Sequence, residues 1–295
     1  MPTFDTREPI TVHLEVGVGE IRINATDRTD TVVEVRPADP TRKGDVAAVE
    51  QTRVDYADGV LRIKAHKTWR NYSLRGGGEA IHLLIGLPAG SRVHGEAGVA
   101  RLLTTGRLGE CRYKTGAGDI SIEEAGAVSL KTSAGDITVG RAAGPCELKT
   151  ASGGVRLGTV DGTAVIKNSN GDSEIGDVTG DLRVAAANGK VSVGRAGSTV
   201  AVKTANGDIR LGEVVRGAVV AGTAYGSIDI GVRDGVAAWL DLNTAFGKVH
   251  NDLDAAERPA PGEDVVELKA HTAYGDVTVR RVVSPEASEA DRTRA

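Results

Sequence analysis

A glycine returns at positions 118, 135, 153, 171, 189, 207, 226, 247 and 275, each time inside the same short phrase. The phrase reads Ala117-Gly118-Asp119-Ile120-Ser121-Ile122 in one copy and Asn206-Gly207-Asp208-Ile209-Arg210-Leu211 in another. The step between glycines is 17 residues, then 18 four times, then 19, 21 and 28. A period in this range means one small structural unit made many times and stacked on its neighbours, the signature of a solenoid.

Counting from each glycine shows what the unit is. Positions seven and five before it are apolar on nearly every copy, as in Val128 and Leu130, Leu182 and Val184, Val200 and Val202. Positions two and four after it are apolar as well, as in Ile120 and Ile122, Val191 and Val193, Ile228 and Ile230. Both are strand periods. The residues between them are polar (Lys131, Thr138, Arg210), so each strand has one dry and one wet face. A second glycine closes the far end of most copies, at Gly126, Gly144, Gly162 and Gly180. One copy is therefore one coil of two short strands and two tight turns. Stacked coils place equivalent strands side by side and parallel, about 4.8 Å apart, around a core about 10 Å thick. So thin a core favours Val, Ile, Leu and Ala, which accounts for only 3% aromatic residues beside 39 glycines.

The expected fold is all-β: a parallel β-solenoid over residues 96–282 with two short strands per coil of about 18 residues. Residues 1–95 alternate like strands at Val12, Leu14 and Val16, and again over 32–35, 54–56, 60–63 and 81–87, but keep no period. They are expected to form an irregular β-rich cap over the solenoid's unpaired first edge, with a short helix near 45–53 and a loop carrying Trp69 and Tyr72. The last two copies are stretched by insertions, one of them containing Pro259 and Pro261, which read as loops outside the core. Residues 283–295 are too poor in apolar side chains to order themselves.

Composition narrows the function classes. A net charge of -4 gives no electrostatic case for nucleic acid or an anionic membrane. Residues 1–20 mix acids and bases in a strand-like pattern unlike a signal peptide. No stretch approaches the roughly 18 apolar residues of a membrane span. A cytoplasmic location without membrane insertion is expected. Cys111 and Cys146 fall seven before a repeat glycine, two coils apart. That places them about 9.6 Å from each other, beyond the roughly 7 Å limit for a disulfide. They read as core fillers.

The outward columns are charged or polar. Lys114, Lys131, Lys149, Lys167 and Lys203 stand four before the glycine, but Asp119, Asp136, Asp172 and Asp208 stand one after it, so a solvated, charge-balanced ladder is favoured over a polyanion site. The same Asp column lacks the doubled glycine-rich turns that a calcium-binding β-roll uses to surround its ion. A threonine column, including Thr115, Thr132, Thr223 and Thr272, has inward parity, where hydroxyls satisfy turn backbone groups. Glu174 and Asp229 stand three coils apart, about 14 Å, wider than a glycosidase pair. The six histidines show no zinc spacing. No enzyme activity, cofactor or metal is expected.

The residue just before the glycine runs Ala117, Ala134, Ser152, Asn170, Asn188, Asn206 and then turns aromatic at Tyr225, Phe246 and Tyr274, with Trp239 in the strand preceding Phe246. These four are the candidate partner-binding residues. They suit a protein partner or, as the alternative, a glycan; the other reading is that they cover the last coils from water.

The phrase Ile85-Gly86-Leu87-Pro88-Ala89-Gly90, followed by the reiterated Ala/Asn-Gly-Asp-Ile coils, resembles the bacterial β-strand-repeat family named putative adhesin, domain of unknown function 4097. The resemblance spans nearly the whole chain and implies a β-solenoid with no catalytic residues to carry over. Its adhesin label implies a surface location. The function expected is a non-enzymatic scaffold or interaction protein of unknown partner.

Overall fold

The computed structural model describes residues 2–65, 79–253 and 264–282, in two compact units, Met1–Gly153 and Gly154–Ala295. The loop with Trp69 and Tyr72, the Pro259–Pro261 insertion and the 283–295 tail lie outside the described residues.

The repeat is a parallel β-solenoid, as its spacing predicts. In the second unit each coil is two strands joined at the repeat glycine: Leu182–Asn188 and Val191–Ala196 at Gly189, Val200–Lys203 and Ile209–Val214 at Gly207, Gly217–Tyr225 and Ile228–Arg233 at Gly226. Neighbours are parallel and match residue for residue at the sequence step. Leu182 faces Val200, which faces Val219; Val191 faces Ile209, which faces Ile228. All six are buried. The first unit repeats the pattern with longer strands, Arg92–Ala117 and Ile120–Ala134, and sets Cys111 beside Val128 and Val128 beside Cys146. Both cysteines are free and buried in the core.

The repeat glycine is required by close approach. Gly207 has φ +144°, and a Cβ there would lie 2.0 Å from the carbonyl oxygen of Gly189, one coil below. Gly135, Gly189 and Gly226 rest likewise on Gly118, Gly171 and Gly207, so no side chain fits there and the backbone conformation is one only glycine adopts cheaply.

The amino-terminal residues hold two kinds of strand. Thr11–Thr26 is a full coil in parallel register with Arg92–Ala117 on one side, and with Val60–Lys64 and Ala80–Pro88 on the other. Within it Gly19-Glu20-Ile21-Arg22-Ile23, with φ +154° at Gly19, is a repeat-like turn inside the stack, and residue 95 lies within the strand Arg92–Ala117. Antiparallel strands then close the outer edge: Asp30–Pro37 on Ala80–Pro88, Arg53–Ala57 on Val60–Lys64, and Thr3–Asp5 on Asp30–Pro37. The one α-helix among the described residues, Lys43–Gln51, is fastened there by Asp45, whose buried carboxylate accepts the backbone N–H groups of Asp39 at 3.0 Å and Ala80 at 3.1 Å.

The far end of the second unit departs from chain order. Val265–Tyr274, of the Gly275 coil, pairs with Gly217–Tyr225 of the Gly226 coil and, on its other side, with Ala237–Phe246 of the Gly247 coil. The last coil in sequence is therefore slotted in before the Gly247 coil.

Candidate functional site

The column just before the repeat glycine builds a continuous exposed ladder in the second unit. Its first part is amide. Asn188 Nδ2 donates to Asn170 Oδ1 at 2.8 Å, and Asn206 Nδ2 to Asn188 Oδ1 at 2.8 Å. Asn206 then bridges to Tyr225, where the column becomes aromatic. Tyr225 and Tyr274 stack with ring centroids 4.9 Å apart and planes at 2°, and Tyr274 and Phe246 stack at 4.8 Å and 9°. The spacing equals that of adjacent strands, so the solenoid itself sets the stack.

Sequence order alone puts Phe246 in the middle; the structure puts Tyr274 there, because the Gly275 coil inserts between its two neighbours. The three rings remain 45% to 65% exposed. Trp239 is equally exposed but stands at the other end of the strand Ala237–Phe246, roughly 20 Å from Phe246 by strand rise. It belongs to the edge of the outermost coil and not to the stack.

The remaining columns have structural partners. The Asp119 carboxylate accepts the backbone N–H of Asp136 at 3.0 Å, Asp172 that of Lys190 at 2.8 Å, Asp208 that of Ser227 at 2.8 Å, and Asp276 that of Lys248 at 2.8 Å. Each Asp staples its turn to the next coil, a use that charge balance with the lysines does not anticipate. The threonines behave as their parity predicts: Thr272 donates to the Gly226 carbonyl at 2.9 Å and Thr244 to that of Gly275 at 2.8 Å. Glu174 pairs with Arg156 at 3.6 Å, and Asp229 with Arg210 at 3.8 Å and Arg280 at 3.1 Å. These carboxylates form an outward ion-pair ladder.

A groove of about 710 Å³ opens on the first unit, among His13, His94, Glu96, Lys114, Lys131 and Lys149. The His13 and His94 rings, 81 residues apart in sequence, meet at 5.4 Å. Glu15, Glu96 and Glu147 stand among the groove's cations, and Lys149 pairs with Glu147, so no single sign of charge dominates. Beneath it Tyr113 is buried, an aromatic that the thin-core argument does not foresee. Gly95 makes room for it, since a Cβ there would lie 2.8 Å from the Tyr113 ring. Burial pushes the Cys111 thiol up to about 12, with the nearby Glu110 adding to the effect, and raises Cys146 to about 12 by burial alone.

The family model of Toastrack DUF4097 matches residues 11–280. The chain belongs to the Toastrack family. Its match takes in the amino-terminal coil at Gly19 as well as the regular repeats. A comparison with curated proteins returned no match. Among solved structures, this Toastrack chain is similar to a putative adhesin from Bacteroides fragilis, at 13% identity with 95% of each chain covered and a TM-score of 0.30. It is also similar to one from Parabacteroides distasonis, at 12% identity, 95% of each chain and a TM-score of 0.31. A third, from Parabacteroides merdae, stands at 10% identity, 95% of each chain and 0.28. In this Toastrack chain no helix among the described residues is long and apolar enough to cross a membrane.

Proposed function

We propose that this Toastrack protein is a non-enzymatic scaffold that holds a protein partner at the Tyr225–Tyr274–Phe246 stack. The observation that carries the reading is three exposed rings fixed at strand spacing on a rigid support. Rigid aromatic side chains bury large area at low entropic cost, which is why they anchor protein interfaces.

The stack geometry favours a protein over a glycan. Sugar recognition by an aromatic platform uses the ring face, but here Tyr274 has both faces covered by its neighbours and Tyr225 has one covered. What the strip offers outward is ring edges, two phenol hydroxyls and a single ring face, that of Phe246 on the outermost coil. Those suit apolar side chains and carbonyl acceptors of a polypeptide.

Replacing Tyr225, Phe246 and Tyr274 together by Asn, the residue this column uses in the Gly171, Gly189 and Gly207 coils, tests the reading. Partner capture from lysate should be lost while the melting temperature stays nearly unchanged. A fall in melting temperature with capture intact would make the strip an end cover and remove it as a binding site.

A further inference from the structure

The strand Ala237–Phe246 pairs on one side only among the described residues, with Val265–Tyr274. Its inward side chains show what is missing on the other side. Leu268 and Ala270 are buried, whereas their register partners Leu240 and Leu242 are only half-buried. Val249 is 44% exposed where its partner Val277 is 0%. An open strand edge is a template for pairing, and proteins blunt such edges with lysine, proline, bulges or short strands. This strand is ten residues long, carries a single charge at Asp241, contains no proline and keeps its register throughout. The outer edge of the first unit, by contrast, is closed by antiparallel strands of the chain itself. Residues 254–263 and 283–295 contain no Leu, Ile, Met, Phe, Tyr or Trp. These stretches of the second unit supply no large apolar side chain to bury Leu240 and Leu242.

We propose that this edge pairs, antiparallel, with the same edge of a second copy of the chain. A two-fold axis normal to the sheet brings the strand onto itself. With Leu242 on the axis, Leu240 lies opposite Thr244, Asp241 opposite Asn243 and Trp239 opposite Ala245. The register keeps even residues inward and odd residues outward, and it sets the one charged residue against an amide instead of against itself. Such a self-matching contact closes after two copies. In this register Phe246 lies opposite Ala238, while the outward edges of Tyr225 and Tyr274 stay free, so loss of the dimer and loss of partner capture are read separately.

Sedimentation equilibrium of the full chain over a dilution series should show the mass rising from 30.5 kDa toward twice that value. Asn243 is exposed on the outward face, so Asn243→Asp leaves the coil's packing alone while placing two like-charged pairs across the axis. It should weaken association roughly tenfold at low salt, and adding Asp241→Asn should restore it. Amide exchange over 237–246 should slow as concentration rises, a readout that needs no variant. A single-chain mass at every concentration, assemblies that keep growing, or a dimer indifferent to Asn243→Asp would each overturn the proposal.

Discussion

At Gly207 one hydrogen atom in place of a methyl group decides whether two coils can stack. The clash with the Gly189 carbonyl and the φ of +144° act together, so Gly207→Ala should destabilise the fold by about 3 kcal/mol or more, read as a lower urea midpoint at unchanged slope. Asp208 next to it is gentler: Asp208→Ala removes one hydrogen bond to a backbone amide and should cost about 1 kcal/mol in the same measurement, with Asp208→Asn recovering part of it. The glycine and aspartate are plain in the repeat phrase, yet the partner of the aspartate is not, because a staple to a residue 19 positions away leaves no local mark. The buried thiols make a pH prediction. Their folded values near 12 lie above the unfolded value of 9.0, so their contribution is complete below pH 9 and is lost as pH rises toward 12, where the unfolded chain ionises first. The melting temperature of a Cys111→Ala, Cys146→Ala protein should therefore fall less steeply between pH 9 and 11 than that of the natural chain.

At the scale of one coil, the backbone pairing of each strand runs to its neighbours above and below. Val202 is fully buried between Val184 and Ala221. Val202→Asp puts an unpaired charge there and should cost about 4 kcal/mol or more, with amide protection lost in the Gly189 and Gly226 coils as well as its own. The alternation of Val200 and Val202 with polar residues makes such a strand legible, and the repeat step gives its register. The strand Thr11–Thr26 shows the opposite case. Val12, Leu14 and Val16 announce a strand, but its parallel partners begin at Val60, Ala80 and Arg92, with no fixed period joining them. Parallel pairing between distant segments carries no turn signal, so the place of this coil inside the stack emerges only from the structure. The aromatic strip divides in the same way: its three rings are visible as a break in one column, while their order and the separation of Trp239 depend on which coil lies next to which.

On the scale of the whole molecule, sequence order and spatial order part company near the end of the second unit, where the Gly275 coil lies between those of Gly226 and Gly247. A chain is made from its amino terminus, so residues 237–251 leave the ribosome before the surface they rest on has been synthesised. Until Val265–Val282 follows, that coil has no described neighbour to stack against, and the growing solenoid ends at Gly226. A premature stop after Leu253 should thus remove two coils from the folded protein, although only one has been deleted. Limited proteolysis should then cut within 237–251 while leaving the Gly226 coil resistant. The segment Val265–Val282 acts as a keystone, and a nascent chain that stalls short of it presents Trp239, Leu240, Leu242 and Phe246 to the cell's quality control.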